Sequence, residues 1–168
     1  GRGHSKDIAV TNNVINMETA ATYNYGIDVS IYGPGYVPGS ANAKNLVISD
    51  NTVNMHTTSA TGMGEAIYLD TLTNSIVENN NIYVKTENDA ANYGIALADS
   101  SNWLGDGVTA PYNVTIRKNT VYLDSNDMAN GISLISAKAF EGSRNFVIAD
   151  NDVTVNSAKG AHGIATYT

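Results

Sequence analysis

The sequence predicts an all-β chain wound as a right-handed parallel β-helix of about five coils, each built from three strands. Three observations carry this reading. The stretch from Asn45 to Met55 recurs from Asn113 to Leu123 and from Asn145 to Val155, with weaker copies opening at Asp7 and Asn74. Within each copy apolar residues alternate with polar ones, the period of a strand and not of a helix. An asparagine stands at a constant offset of six from each copy's start, at Asn13, Asn51, Asn80, Asn119 and Asn151. A unit with one apolar face cannot bury that face by itself and must stack on its neighbours.

The first strand of each coil turns two residues inward: Ile8 and Val10, Leu46 and Ile48, Ser75 and Val77, Val114 and Ile116, Phe146 and Ile148. The constant asparagine closes that strand at a sharp corner, where Asn tolerates the left-handed backbone. Its amide is expected to stack on the same amide in the coils above and below, as asparagine ladders do in cross-β structures. The second strand buries Ile15 and Met17, Val53 and Met55, Ile82 and Val84, Val121 and Leu123, Val153 and Val155. A hydroxyl follows in every copy (Thr19, Thr57, Thr86, Ser125, Ser157) and offers a second ladder. The third strand is expected to start at a small residue, Gly26, Ala66, Gly94, Gly131 or Gly163, which marks a tight or positive-φ entry. No stretch sustains a helical period, which removes alternating strand–helix folds. Parallel crossovers are nearly always right-handed. Coils about 4.8 Å apart make five of them a rod on the order of 24 Å long.

Composition sets the outer bounds. The 168 residues suffice for one domain with a sizeable core, and the whole length, 1–168, reads as a single β-helix domain. The net charge of −7, with only 15% of residues charged, argues against nucleic acid, whose phosphates demand basic patches. There is no cysteine, hence no disulfide framework and no thiolate metal site; no metal or other cofactor is expected. No apolar run reaches the length of a membrane helix, so no membrane insertion is expected of this segment. The chain opens in mid-repeat and its last copy stops just after the third strand, with no polar cap over either end. The expectation is a section of a longer solenoid, continued by further coils or by copies of itself end to end.

The phrasing Asn-x-x-Ile-x-x-Asn-x-Val, followed by Gly-Ile-x-Leu, resembles the right-handed parallel β-helix superfamily of pectate lyases, polysaccharide hydrolases and phage tailspikes. In repeat pattern it is most similar to adhesin-like surface proteins of archaea and bacteria. The resemblance covers residues 7 to 168 and implies the fold. That superfamily hosts lyases, hydrolases, epimerases and inert stalks, so the likeness alone fixes no activity. The chain lacks an Asp-Pro-His segment of the alginate-epimerase type and an Arg-x-Pro-x-x-Arg segment of the pectate-lyase type. No catalytic residue of those enzymes therefore carries over.

Loops after the third strand differ most between coils. Residues Ser30 to Lys44 carry Tyr32 and Tyr36, residues Asp99 to Tyr112 carry Trp103, and only Asp70 to Thr73 lie between the corresponding strands of the intervening coil. Two long loops flanking a short one predict a walled groove. Its floor would hold Asp28, Tyr68 and Asp70, with Asp99 at the edge. Aromatic rings beside carboxylates suit a sugar chain, so Tyr32, Tyr36, Tyr68, Asp70, Trp103 and Tyr112 are the candidate ligand-binding residues. Asp28 and Asp70 are the candidate catalytic pair for glycoside hydrolysis. A lyase for uronic-acid polymers would also need cations, and no Lys or Arg falls on this floor. Asn12, Asp50 and Asp150 could form a Ca²⁺ column, but Lys118 shares their position and reads them as solvated corners. Tyr83 and Tyr122 are adjacent outward residues of the second strands and should stack. Ala9, Val47, Ile76, Thr115 and Val147 make a mildly apolar outward column. His4, His56 and His162 are too scattered to share a metal.

The functional expectation is an extracellular, cell-surface structural or adhesive module that contacts a polysaccharide or cell-surface glycan through its long loops. The alternatives are a carbohydrate-active enzyme, a polysaccharide hydrolase or lyase on the same fold, and a phage tailspike or tail-fibre section.

Overall fold

The computed structural model describes residues 6–30, 43–87, 89–99, 111–136 and 144–167. In chain order, the first coil holds β1 (Ala9–Thr11), β2 (Val14–Thr19) and β3 (Tyr23–Val29). The second holds β4 (Ala43–Lys44), β5 (Val47–Ser49), β6 (Thr52–Thr57) and β7 (Met63–Asp70). The third holds β8 (Leu72–Glu78), β9 (Asn81–Thr86) and β10 (Asn92–Asp99). The fourth holds β11 (Tyr112–Arg117), β12 (Thr120–Ser125) and β13 (Ala129–Ser136), and the fifth β14 (Arg144–Ala149), β15 (Asp152–Ser157) and β16 (Ala161–Tyr167).

Each strand pairs in parallel with its counterparts one coil away. The first sheet runs β1-β5-β8-β11-β14, with β4 also on β8; the second runs β2-β6-β9-β12-β15; the third runs β3-β7-β10-β13-β16. The chain is thus a right-handed parallel β-helix of about five coils. Among the described residues no helix is long and apolar enough to cross a membrane.

The alternation foreseen for the first two strands is the one observed. Leu46, Ile48, Val77, Val114, Ile116, Val53, Met55, Ile82, Val84, Val121 and Leu123 fill one continuous core with Ile27, Ile67, Leu69, Ile95, Leu97 and Ile132 of the third sheet. The polar member of the inward column, Ser75, is satisfied in place: it donates to Thr73 O at 2.9 Å and accepts from Leu46 N at 3.2 Å. In the outer coils the same column is less covered. Val10, Phe146 and Ile148 pack against the core while only partly buried, and Ile8 is exposed.

The asparagine column is a hydrogen-bonded ladder. Asn13 Nδ2 donates to Asn51 Oδ1 at 2.9 Å, Asn51 to Asn80 at 3.0 Å, Asn80 to Asn119 at 2.9 Å and Asn119 to Asn151 at 3.0 Å. Each Oδ1 also accepts the backbone N–H of the preceding ladder residue, at 3.0 to 3.1 Å. The second proton of each Nδ2 goes to a main-chain carbonyl: Asn51 to Val10 O, Asn80 to Ile48 O, Asn119 to Val77 O, Asn151 to Ile116 O. In the three inner coils these amides are buried, yet their donors and acceptors are met, which is the condition for a polar group to sit in a core.

One expectation about the corner is corrected. The left-handed backbone belongs to the residue before the ladder: Asn12, Asp50, Asn79, Lys118 and Asp150 have φ of 55–58°. A second set, Asp7, Asn45, Asn74, Asn113 and Asn145, takes φ of 51–59° where each copy opens. Placing the kink one residue early leaves the ladder asparagine free to point inward. The first-corner residues form a ladder of their own at the surface, Asn45 to Asp7, Asn113 to Asn74 and Asn145 to Asn113, each at 2.8–2.9 Å.

The hydroxyl column also differs from expectation. Thr57, Thr86 and Ser125 are buried, and Thr86 Oγ1 donates to Ser125 Oγ at 2.9 Å. The rest of that corner is tied by amides at the start of the third strands. Asn24 accepts from Thr19 Oγ1 at 2.9 Å and donates to Met63 O at 3.1 Å. Asn92 donates to Ser125 Oγ and accepts from Gly64 N, both at 2.9 Å. At Gly26, Gly94 and Gly131 the glycine is required by close approach, and the φ values of the column are not in the left-handed range. A Cβ on Gly94 would lie 2.4 Å from Val121 Cγ1 and 2.6 Å from Gly131 O.

Two stability measurements test this account. Replacing Asn119 by Leu strands the buried Asn80 N–H and should cost about 1–3 kcal/mol. Asn13→Leu, at an exposed position, should stay within about 0.5 kcal/mol. Equal shifts in the urea midpoint would mean that the ladder bears no special weight. Separately, Lys118 has a left-handed backbone that a β-carbon disfavours, so Lys118→Asn should raise stability by roughly 0.5–1 kcal/mol. An unchanged or lower urea midpoint would show that the Lys118 side chain compensates.

Candidate functional site

The third sheet holds the candidate site. Its strands begin two or three residues earlier than expected, at Tyr23, Met63, Asn92, Ala129 and Ala161. The added residues form a row across all five coils, in direct register: Tyr25, Glu65, Tyr93, Asn130, His162. Strict alternation would send this row inward with Ile27, Ile67, Ile95, Ile132 and Ile164, two positions on. The glycine column breaks the alternation. Asn24 turns into the corner, and the Tyr25 ring meets that of Tyr68 with centroids 5.5 Å apart. Tyr68 in turn alternates with the buried Ile67 and Leu69, so both rings lie on the outer face.

A second outward row runs Asp28, Tyr68, Ala96, Ser133, Ala165, and a third Asp70, Ala98, Ile135, Tyr167. Although outward, the middle of this face is closed to solvent: Glu65 is 4% exposed, and Ala96, Asn130 and Ser133 are 0% exposed. Toward the edges, Asp28 and His162 are exposed.

Electrostatics converge on Glu65. Burial, reinforced by the charge of Asp28, pushes its carboxyl up to about 7. Burial and then Glu65 itself raise the hydroxyls of Tyr25 and Tyr93, with smaller contributions from Asp28 and Tyr23 at Tyr25 and from Tyr167 at Tyr93. At the other end Tyr167 OH donates to Asn130 Oδ1 at 2.8 Å, and His162 Nδ1 lies 3.0 Å from the same oxygen. The Tyr167 ring meets the His162 ring edge-on, with centroids 6.3 Å apart. Three buried atoms of the face, Glu65 Oε2, Asn130 Nδ2 and Ser133 Oγ, have no hydrogen-bond partner.

The residues expected from sequence are distributed as follows. Asp28 lies on this face and is exposed, and the carboxylate coupled to it is Glu65. Asp70 is fully buried, and its Oδ1 accepts from Thr71 Oγ1 at 2.7 Å. The two candidate catalytic carboxylates therefore do not form one exposed pair. Asp99 is buried at the end of β10. Tyr68 is half-buried against Tyr25. Tyr112 opens β11 in the first sheet, in register with Thr73. Tyr32, Tyr36, Trp103 and His4 lie outside the described residues, and with them the proposed groove walls. Among the described residues no three His, Cys, Asp or Glu side chains are grouped to hold a metal ion.

No protein-family model matches the chain, and no curated protein or solved structure matches it significantly. The site must be read from its own geometry.

Glu65, Tyr25, Tyr93 and Asn130 precede the glycine column and read as turn residues in the sequence, while His162 reads only as one of three scattered histidines. A signal for them exists. The pairs Asn24-Tyr25, Gly64-Glu65, Asn92-Tyr93, Ala129-Asn130 and Ala161-His162 each place a small or amide residue before a large polar one, at a fixed distance from the column.

The raised Glu65 pKa has a testable sign. The folded state holds this proton more tightly than the unfolded chain, so stability is greatest below pH 4.5 and falls as pH rises through about 7. The total is at most on the order of 3 kcal/mol. Glu65→Gln removes the term. The difference in urea midpoint between variant and parent should grow in favour of Gln from pH 4.5 to 7.5. A difference independent of pH would show that Glu65 ionises normally.

Proposed function

We propose that the chain is a section of an extracellular, cell-surface β-helix of the adhesive kind, and that its third face recognises a neutral glycan. The observation that carries this reading is the set of partly exposed rings, Tyr25, Tyr68 and Tyr93, with the exposed Asp28 and His162 on the same face. Asp28 offers acceptors, and the His162 ring a further polar atom, to the hydroxyls of a sugar laid on those rings. Tyrosine rings cover the apolar faces of sugars. The described residues of this face include no Lys or Arg to neutralise an acidic polymer, which suits a neutral glycan better than a uronic-acid polymer. The repeat pattern, the absence of cysteine and the acidic net charge agree with surface display.

Hydrolysis of the same glycan is the second reading, favoured by one observation. Glu65, with its pKa near neutrality, sits within electrostatic reach of the exposed Asp28. A carboxylic acid that can protonate a leaving glycosidic oxygen, beside a carboxylate that can activate water, is the minimum for breaking the C–O bond.

Retention on an array of neutral and acidic polysaccharides separates the outcomes. The parent chain should be retained on a neutral polysaccharide, and Asn130→Ala and Tyr93→Ala should each lower retention at least tenfold with an unchanged circular dichroism spectrum. Equal retention of parent and variants would remove the third face as the site. New reducing ends that appear with the parent and vanish in both Glu65→Gln and Asp28→Asn would establish hydrolysis. Retention without reducing ends would leave a binding module.

A further inference from the structure

The second sheet carries a different opening, on a face unrelated to Glu65. Its outward row runs Asn16, Asn54, Tyr83, Tyr122, Thr154 in direct register. Tyr83 and Tyr122 lie face to face, with centroids 5.2 Å apart and planes within 2° of parallel. Tyr122 is steadied from the next coil, where Asn156 Nδ2 donates to its hydroxyl at 3.0 Å. One face of the Tyr83 ring is thus occupied. The other looks along the row toward Asn54, whose side chain is too short to continue the stack, and Tyr83 remains 43% exposed.

A cavity of about 350 Å³ lies at that point, lined by Asn16, Glu18, Asn54, His56 and Tyr83 with Met17 and Met55. Ligand sites run from roughly 300 to 1,000 Å³. Asn54 Nδ2 donates to Asn16 Oδ1 at 2.8 Å, which fixes both amides and leaves Asn54 Oδ1 as an acceptor and Asn16 Nδ2 as a donor toward the opening. His56 is held by Glu87 at 3.2 Å through Nε2, so its other ring nitrogen remains for a ligand. The exposed Glu18 adds an acceptor one residue pair further along the strand.

The geometry points to a monosaccharide site here: a hexopyranose laid on the free face of Tyr83, its hydroxyls bonded to Asn54 Oδ1, Asn16 Nδ2, His56 and Glu18. The coil spacing sets the place for the ring, since the next member of a stack with Tyr122 and Tyr83 falls over Asn54. The floor decides the class of ring. A plain aromatic would cover Tyr83 but desolvate a donor and several acceptors without replacing their bonds, whereas a sugar offers an apolar face and hydroxyls together. The site is independent of the third-face reading, because no residue is shared.

Two-dimensional NMR of the chain tests it, with methyl β-D-glucopyranoside and methyl β-D-galactopyranoside as hexose probes and phenol as a ring without the hydroxyl set. One hexoside should move the Asn16 and Asn54 side-chain amide signals and the Tyr83 ring signals, with a midpoint on the order of millimolar, as expected for a single small ligand. The midpoint should rise at least tenfold in Tyr83→Ala and in Asn54→Ala, with the remaining spectrum and the Asn130 signals unmoved. No shift with either hexoside up to about 50 mM, more than ten times that expected midpoint, would overturn the assignment. So would shifts that persist in Tyr83→Ala, or phenol binding that is as tight and indifferent to Asn54→Ala.

Discussion

The buried amide ladder is the interaction on which the other features depend. Each solenoid coil is joined to the next only by the loop after its third strand, so register must be fixed by something that repeats without error. Apolar columns alone would tolerate slippage along the axis of the strands. The asparagine amide does not, because a shift would bury a donor and an acceptor with nothing to meet them. The ladder also tolerates unequal coil lengths. The partners are separated by 38, 29, 39 and 32 residues, yet the hydrogen bonds between their side-chain amides stay at 2.9 to 3.0 Å. Everything inserted elsewhere in a coil is invisible at this corner.

Close packing at the opposite corner has a chemical consequence. The glycine column exists because valines of the second sheet, Val53, Val121 and Val153, press against it. The chain responds with a local irregularity, and that irregularity sends Tyr25, Glu65, Tyr93, Asn130 and His162 outward when alternation would have sent them in. A packing constraint of the core thereby supplies the third face with large polar side chains. Glu65 shows the price of the arrangement, since its carboxyl is held near neutrality by the lack of water around it and the charge of Asp28.

The architecture was legible in the sequence because it is periodic. Strand order, the inward columns and the ladder Asn13, Asn51, Asn80, Asn119 and Asn151 follow from residue spacing, since each position meets the same environment in every coil. Spacing points to the ladder residue for the positive φ, which belongs to the one before, because Asn, Asp and Lys all occupy that position and only backbone geometry separates them. The face was harder to read for a related reason. Asp28 and Tyr68 were found by alternation counted forward from the glycines, while Glu65 and its row lie behind the break, where counting by twos gives the wrong side. Burial of Asp70 was equally invisible, because it arises from the closure of the face and from Thr71.

Every rung of the ladder points the same way. Each inner amide oxygen receives from the coil before it, and each inner Nδ2 gives one proton to the amide of the coil after it and one to a main-chain carbonyl of the coil before it. The molecule therefore carries an arrow along its axis, and any inner coil presents at its upper surface what it accepts at its lower one. A duplicated coil would dock onto its own original with no new chemistry. Lengthening such a protein needs only copying in tandem, whereas inverting one coil would set donor against donor and split the column in two.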